Sequence, residues 1–111
     1  MTKTYAVTGV ASGIGAELTR KLKQAGHRLL GFDVQVSADH FDEYIPMDLN
    51  DSGSIAKAAK QTPWQLDGLC NNAGVPPWAG MEEMILQVNF IGTRAFTQAM
   101  LPQFNSGASI C

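Results

Sequence analysis

The chemistry-bearing residues cluster first at Thr8-Gly9-Val10-Ala11-Ser12-Gly13-Ile14-Gly15, where three glycines fall within seven residues directly after a short apolar run. A turn that holds a phosphate needs backbone N–H groups facing open space with no side chain in the way. Glycine permits the close approach, and a following helix adds the positive end of its dipole. The order here is strand, glycines, amphipathic helix, with the spacing G-x-x-x-G-x-G. A glycine-rich turn without a ligand is the alternative for the loop alone. Asp33 bears on that choice. It stands at the end of the next apolar run, where a carboxylate would accept hydrogen bonds from the 2′ and 3′ hydroxyls of an adenosine ribose and repel a 2′-phosphate. Neither Ser12 nor Val34 brings a positive charge to offset that repulsion, so the expected cofactor is NAD rather than NADP. A solvated acid at a strand end is the competing reading of Asp33.

The elements that must position these residues follow from periodicity. Tyr5-Ala6-Val7 reads as a buried strand. Ile14, Leu18, Leu22 and Ala25 recur at helical spacing, with Gly26 as a C-terminal stop. Leu29 to Phe32 form a second apolar run ending at Asp33, which completes a βαβ unit with parallel strands. Tyr44 to Met47 is a short strand that Pro46 restricts to an edge or a strand end. Asp51 and Ser52 are suited to cap a short helix carrying Ile55, Ala56, Ala58 and Ala59. Leu66 to Cys70 is a strand running into the turn Asn71-Asn72-Ala73-Gly74, and Pro76 and Pro77 exclude regular structure beyond it. A longer helix is expected over residues 82–101, with Met84, Val88, Ile91, Ala95 and Ala99 on one stripe and Pro102 past its end. Residues 108–111 begin a further strand. Loops are expected at 34–43 and 73–81. Strands alternating with helices imply an α/β fold with a parallel sheet covered on both faces.

Composition narrows the function classes. The chain has 111 residues, 45% hydrophobic and 16% charged, with a formal net charge of −2. This is a single globular domain without the basic excess that nucleic acid or an anionic membrane would call for. No apolar run is long enough to span a bilayer. Cys70 and Cys111 match no metal-ligand spacing and read as reduced thiols of a cytoplasmic protein. No metal site is expected.

Taken together, TGVASGIG, Asp33, Asp48-Leu49, Asn71-Asn72-Ala73-Gly74 and Val88-Asn89-Phe90-Ile91-Gly92-Thr93 resemble the short-chain dehydrogenase/reductase family, in the right order over nearly the whole chain. The resemblance implies a Rossmann-like doubly wound parallel sheet of strand order 3-2-1-4-5, with residues 1–111 as a single NAD-binding domain. It implies that Gly9, Gly13 and Gly15 form the pyrophosphate turn, lined by Ser12 and Ile14, and that Asp33 binds the adenosine ribose. Asp48 would reach the adenine amino group and Leu49 the ring. Asn72, Ala73 and Gly74 would pass beside the ribose on the nicotinamide side. Asp48 as a turn or capping residue, and Asn71 and Asn72 as turn formers, remain the alternatives. Asn89 corresponds to the asparagine of the family's catalytic tetrad, which positions a water in a proton relay; a satisfied polar residue at a helix–sheet contact is the other reading.

The rest of that tetrad is not found. The family's tyrosine and lysine come as Y-x-x-x-K, but Gly9 stands four residues after Tyr5 and Asp48 four after Tyr44. Ser109 precedes the position expected for the family's serine. The expectation is therefore the N-terminal, cofactor-binding part of a longer enzyme, ending within the fifth strand and inactive by itself. The intact protein would move hydride between nicotinamide and a secondary alcohol or ketone. The fifth strand's exposed edge would favour a homo-oligomer or association with a C-terminal segment. The short connection from Asp33 to Asp48, with room for a turn or one short helix over 38–44, resembles the branch of bacterial 3α-hydroxysteroid dehydrogenase/carbonyl reductases and coniferyl-alcohol dehydrogenase-like proteins. A non-catalytic NAD-binding or regulatory module is the alternative function. A nucleoside triphosphatase fits poorly, because the glycine loop does not end in G-K-[S/T].

Overall fold

The computed structural model describes residues 2–11, 13–35, 41–76 and 78–111. Ser12, Pro77 and the 36–40 part of the connection after Asp33 lie outside the described residues.

Five parallel strands form one sheet: β1 (Thr4–Thr8), β2 (Arg28–Asp33), β3 (Glu43–Pro46), β4 (Leu66–Cys70) and β5 (Phe104–Ile110). Their order is β3-β2-β1-β4-β5, the doubly wound order expected from the sequence. Pro46 sits at the last position of edge strand β3, paired with Asp33, where a missing N–H costs least. β5 begins at Phe104, earlier than the apolar run at its end indicates, and its register against β4 shifts between Leu66 and Gly68.

Helix α1 (Gly13–Gln24) packs on β1 and β2. Its buried residues are Gly15 and Thr19, while Leu18 and Leu22 are half-buried and Ile14 and Ala25 are exposed. The predicted apolar stripe is thus displaced toward small side chains. The cause is close approach: a Cβ on Gly15 would lie 2.0 Å from the Gly9 carbonyl oxygen.

Helix α2 (Ser52–Gln61) starts as expected. The Asp51 carboxylate accepts from the N–H groups of Gly53 and Ser54, which satisfies two donors that the first turn leaves unpaired. Ile55, Ala58 and Ala59 are buried and Ala56 is exposed.

The long helix is continuous in αR conformation but not uniform: α3 (Glu82–Leu86), a π-helical stretch (Gln87–Gly92) and α4 (Thr93–Met100) follow one another. The buried row is Val88, Gly92, Phe96 and Met100. Of the predicted stripe only Val88 is buried; Met84, Ile91, Ala95 and Ala99 are exposed. Gly92 explains the difference. Its Cβ would stand 2.2 Å from the Leu49 carbonyl oxygen, so the contact face is built around a residue that a search for apolar side chains passes over.

The core gathers Ala6, Leu30, Phe32, Ile45, Leu69 and their neighbours under α2 and α4. Phe32 and Phe96, both fully buried, meet edge to face at 5.0 Å between ring centroids, a favoured aromatic geometry.

Candidate functional site

Strand order reverses between β1 and β4, because β2 and β3 lie on one side of β1 and β4 and β5 on the other. In an open α/β sheet the crevice outside the carboxyl ends of the strands at such a reversal is where ligands enter. A cleft of about 430 Å³ lies there. The loop after β1 contributes Gly9 to it and β2 contributes Asp33. The segment after β3 contributes Asp48 and Leu49, and the segment after β4 contributes Asn72, Ala73 and Gly74.

The glycine loop is held from three sides. Gly9 has φ +71°, and a Cβ there would meet the Ala73 backbone at 2.9 Å. The Gly9 N–H continues the sheet ladder by donating to the Phe32 carbonyl at 2.8 Å. Asn72 Nδ2 donates to the Gly9 carbonyl oxygen at 3.4 Å, and the same nitrogen closes off the space above Gly15. Gly15 is buried under the loop, whereas Gly13 (φ +60°) has open space where a Cβ would stand. Ile14 is exposed at the first turn of α1. Neither Gly13 nor Ile14 lines the cleft. Ser12 lies outside the described residues.

Asp33 is oriented by the backbone around it. Its Oδ2 accepts from the Ala11 N–H at 2.9 Å and its Oδ1 from the Gln35 N–H at 3.0 Å. Its own carbonyl accepts from Met47 N–H and from the Tyr44 hydroxyl, at 3.0 and 2.8 Å. Burial, and then the Asp33 charge, push the Tyr44 phenol above its usual range, so it remains a donor. Asp48 makes the turn its residue type favours: its Oδ1 accepts from Asn50 N–H at 2.9 Å, and its N–H donates to Ser54 Oγ. Both features of Asp48 coexist, a local turn and a place on the cleft wall.

The asparagines divide their work. Asn71 Nδ2 donates to Thr97 Oγ1 at 3.0 Å, tying the end of β4 to α4. Asn89, within the π-helical stretch, is exposed and clamps the loop after β4. Its Oδ1 accepts from Val75 N–H at 2.7 Å and its Nδ2 donates to the Val75 carbonyl at 3.1 Å. Its amide is therefore satisfied across to a loop rather than at the helix–sheet contact that its apolar neighbours suggest. Two residues escaped sequence reasoning. Thr8 Oγ1 accepts from Ala73 N–H at 2.9 Å, and Tyr44 braces Asp33. A hydroxyl at the end of β1 was the available signal for Thr8; nothing local marks Tyr44.

The fold and cleft together define an open, doubly wound α/β protein with a crevice at the switch point. A profile of the short chain dehydrogenase family matches residues 3–110, and the chain belongs to that family. It is 40% identical over 108 residues to a coniferyl-alcohol dehydrogenase of Pseudomonas sp. (strain HR199), which covers 97% of this chain and 42% of that protein. It is 29% identical over 105 residues to a 3-alpha-hydroxysteroid dehydrogenase/carbonyl reductase of Comamonas testosteroni, covering 91% of this chain and 38% of that one. A short-chain dehydrogenase/reductase from Serratia marcescens superposes with a TM-score of 0.81 at 26% identity, over 97% of this chain and 53% of its own. The chain spans less than half the length of these two curated relatives. Among the described residues, no helix is long and apolar enough to cross a membrane.

Proposed function

We propose that this chain is the NAD-binding part of a short-chain dehydrogenase that moves hydride between a nicotinamide and a secondary alcohol or its ketone. The observation that carries the reading is the Asp33 carboxylate, fixed by two backbone N–H groups at the β2 end of the cleft. Each of its oxygens keeps lone pairs for ribose hydroxyls, and among the described residues no Lys or Arg lines the cleft to offset a 2′-phosphate. The glycine loop suits the pyrophosphate: the positive-φ backbone at Gly9 and Gly13 and the open space above Gly13 keep side chains away from the α1 N-terminus. Asp48 and Leu49 would border the adenine, and Asn72, Ala73 and Gly74 the second ribose. The bound cofactor supplies the hydride chemistry. Asn89 would act as a positioning residue here, since its side chain fixes the Val75 backbone next to Gly74. The alcohol substrate accords with the names of the two curated relatives, and a cytoplasmic location with the two reduced thiols.

Neither tyrosine in these residues is followed four positions later by lysine. The alternative reading is a module that binds NAD without chemistry. Isothermal titration of the chain with NAD and NADP tests the shared core of both: NAD should bind tighter, and Asp33→Ala should weaken NAD by roughly tenfold, the worth of a charged hydrogen-bond acceptor. Tighter NADP binding would overturn the assignment of Asp33. Alcohol-dependent NADH formation by the 111-residue chain would overturn its expected lack of turnover. The intact mass of the native protein separates the two readings, because the dehydrogenase needs a longer chain to supply its acid and base.

A further inference from the structure

Cys70 and Cys111 lie 41 positions apart in sequence but directly opposite each other in the sheet. β4 and β5 pair Gly68 with Ser109 and Leu69 with Ile110. The ladder continues one step further: Cys111 N–H donates to the Leu69 carbonyl at 3.0 Å, and the Cys111 carbonyl accepts from Asn71 N–H at 2.8 Å. Cys111 thus brackets Cys70. Residues opposite each other on parallel strands point to the same face, with their Cα atoms at the interstrand spacing of about 4.8 Å, inside the roughly 4.4–6.8 Å window that a disulfide spans. Both cysteines are free.

We propose that Cys70 and Cys111 form a reversible disulfide when the protein meets a peroxide, locking β4 to β5 beside the cleft. The two sulfurs have different parts. Cys70 is half-buried. Burial, with the Cys111 thiol beside it, pushes the Cys70 thiol up to about 11, so at neutral pH it is protonated and slow toward an oxidant in solution, and reacts only with a sulfur held opposite it. Cys111 sulfur attacks one oxygen of hydrogen peroxide, the O–O bond breaks and one water leaves, giving a sulfenic acid. Cys70 sulfur then attacks Cys111 sulfur as the Cys70 proton passes to the departing hydroxyl; the S–O bond breaks and a second water leaves. Two thiols are oxidised, one peroxide is reduced, and both thiol hydrogens end in water. The link falls next to Asn71 and Asn72, whose side chains hold α4 and the glycine loop, so the oxidised pair is placed to stiffen the cleft wall.

The test is non-reducing mass spectrometry of the 111-residue chain after hydrogen peroxide and then iodoacetamide. The expected result is a monomer lighter by the two hydrogens removed, with no alkylated cysteine and a proteolytic peptide pair joining Cys70 to Cys111. Dithiothreitol should restore two alkylatable thiols, and Cys70→Ser should leave Cys111 as a trappable sulfenic acid. Two alkylated cysteines after peroxide, over-oxidation of Cys111 without linkage, or a disulfide between two chains would each overturn the proposal.

Discussion

At Gly15 a single methyl group decides whether α1 can sit where it does. A Cβ would lie 2.0 Å from the Gly9 carbonyl oxygen and 2.5 Å from Asn72 Nδ2, and neither backbone nor clamped amide has room to yield. Gly15→Ala should therefore lower stability by about 1–3 kcal/mol, measured by urea denaturation, and weaken the proposed NAD binding by displacing the loop. An unchanged midpoint would mean that the helix backs away freely. The same scale shows what residue types reveal. Glycines flanking a strand end announce a close backbone approach, and Asp33 announces an acceptor at the next strand end. Asn89 announces only that its amide needs partners; that both are on Val75, fourteen positions earlier, depends on how the loop after β4 folds back over the π-helical stretch.

Among the elements, α2 is the most local. Asp51 caps it, Ile55, Ala58 and Ala59 form its inner face, and each is recognisable from type and spacing. Asp51→Ala should cost about 1 kcal/mol, the usual worth of an N-cap side chain; a thermal melt checks it, and no change would show that water replaces the carboxylate fully. The long helix forms where its length and spacing predict, but its buried surface differs from the predicted stripe. A π-helical stretch takes in an extra residue per turn, so a stripe laid out at 3.6-residue spacing does not survive passage through residues 87–92. Gly92, packed on the Leu49 carbonyl, replaces a large side chain in the buried row.

Across the whole molecule, two carboxylates tie distant segments together at the amino edge of the sheet. Asp67 accepts from Thr4 N–H and from Asn105 Nδ2, joining β1, β4 and β5. Asp42 accepts from Leu29 N–H and from Lys23 at the end of α1. The Thr4 N–H and then Asn105 lower the Asp67 carboxyl. Burial opposes ionisation of Asp42, but the Lys23 and Leu29 hydrogen bonds outweigh it and the carboxyl is lowered too. Groups lowered on folding contribute stability fully above their unfolded value, near 4, and lose it as pH falls through the folded one. The urea midpoint should accordingly drop below about pH 4, and Asp42→Asn with Asp67→Asn should flatten that slope. An identical slope in the double variant would exclude these two ties as its source.

By itself the sequence determined the alternation of strands and helices, the glycine loop and the acid that follows the second strand. These rest on short-range causes: side-chain periodicity, glycine's access to positive φ, and the shape of a cap. Only the tertiary structure decided which helical faces are buried, what Asn89 and Tyr44 hold, and that Cys70 faces Cys111. Those depend on register between strands far apart in the chain and on how closely helices approach the sheet, and neither distance is written in any local run of residues.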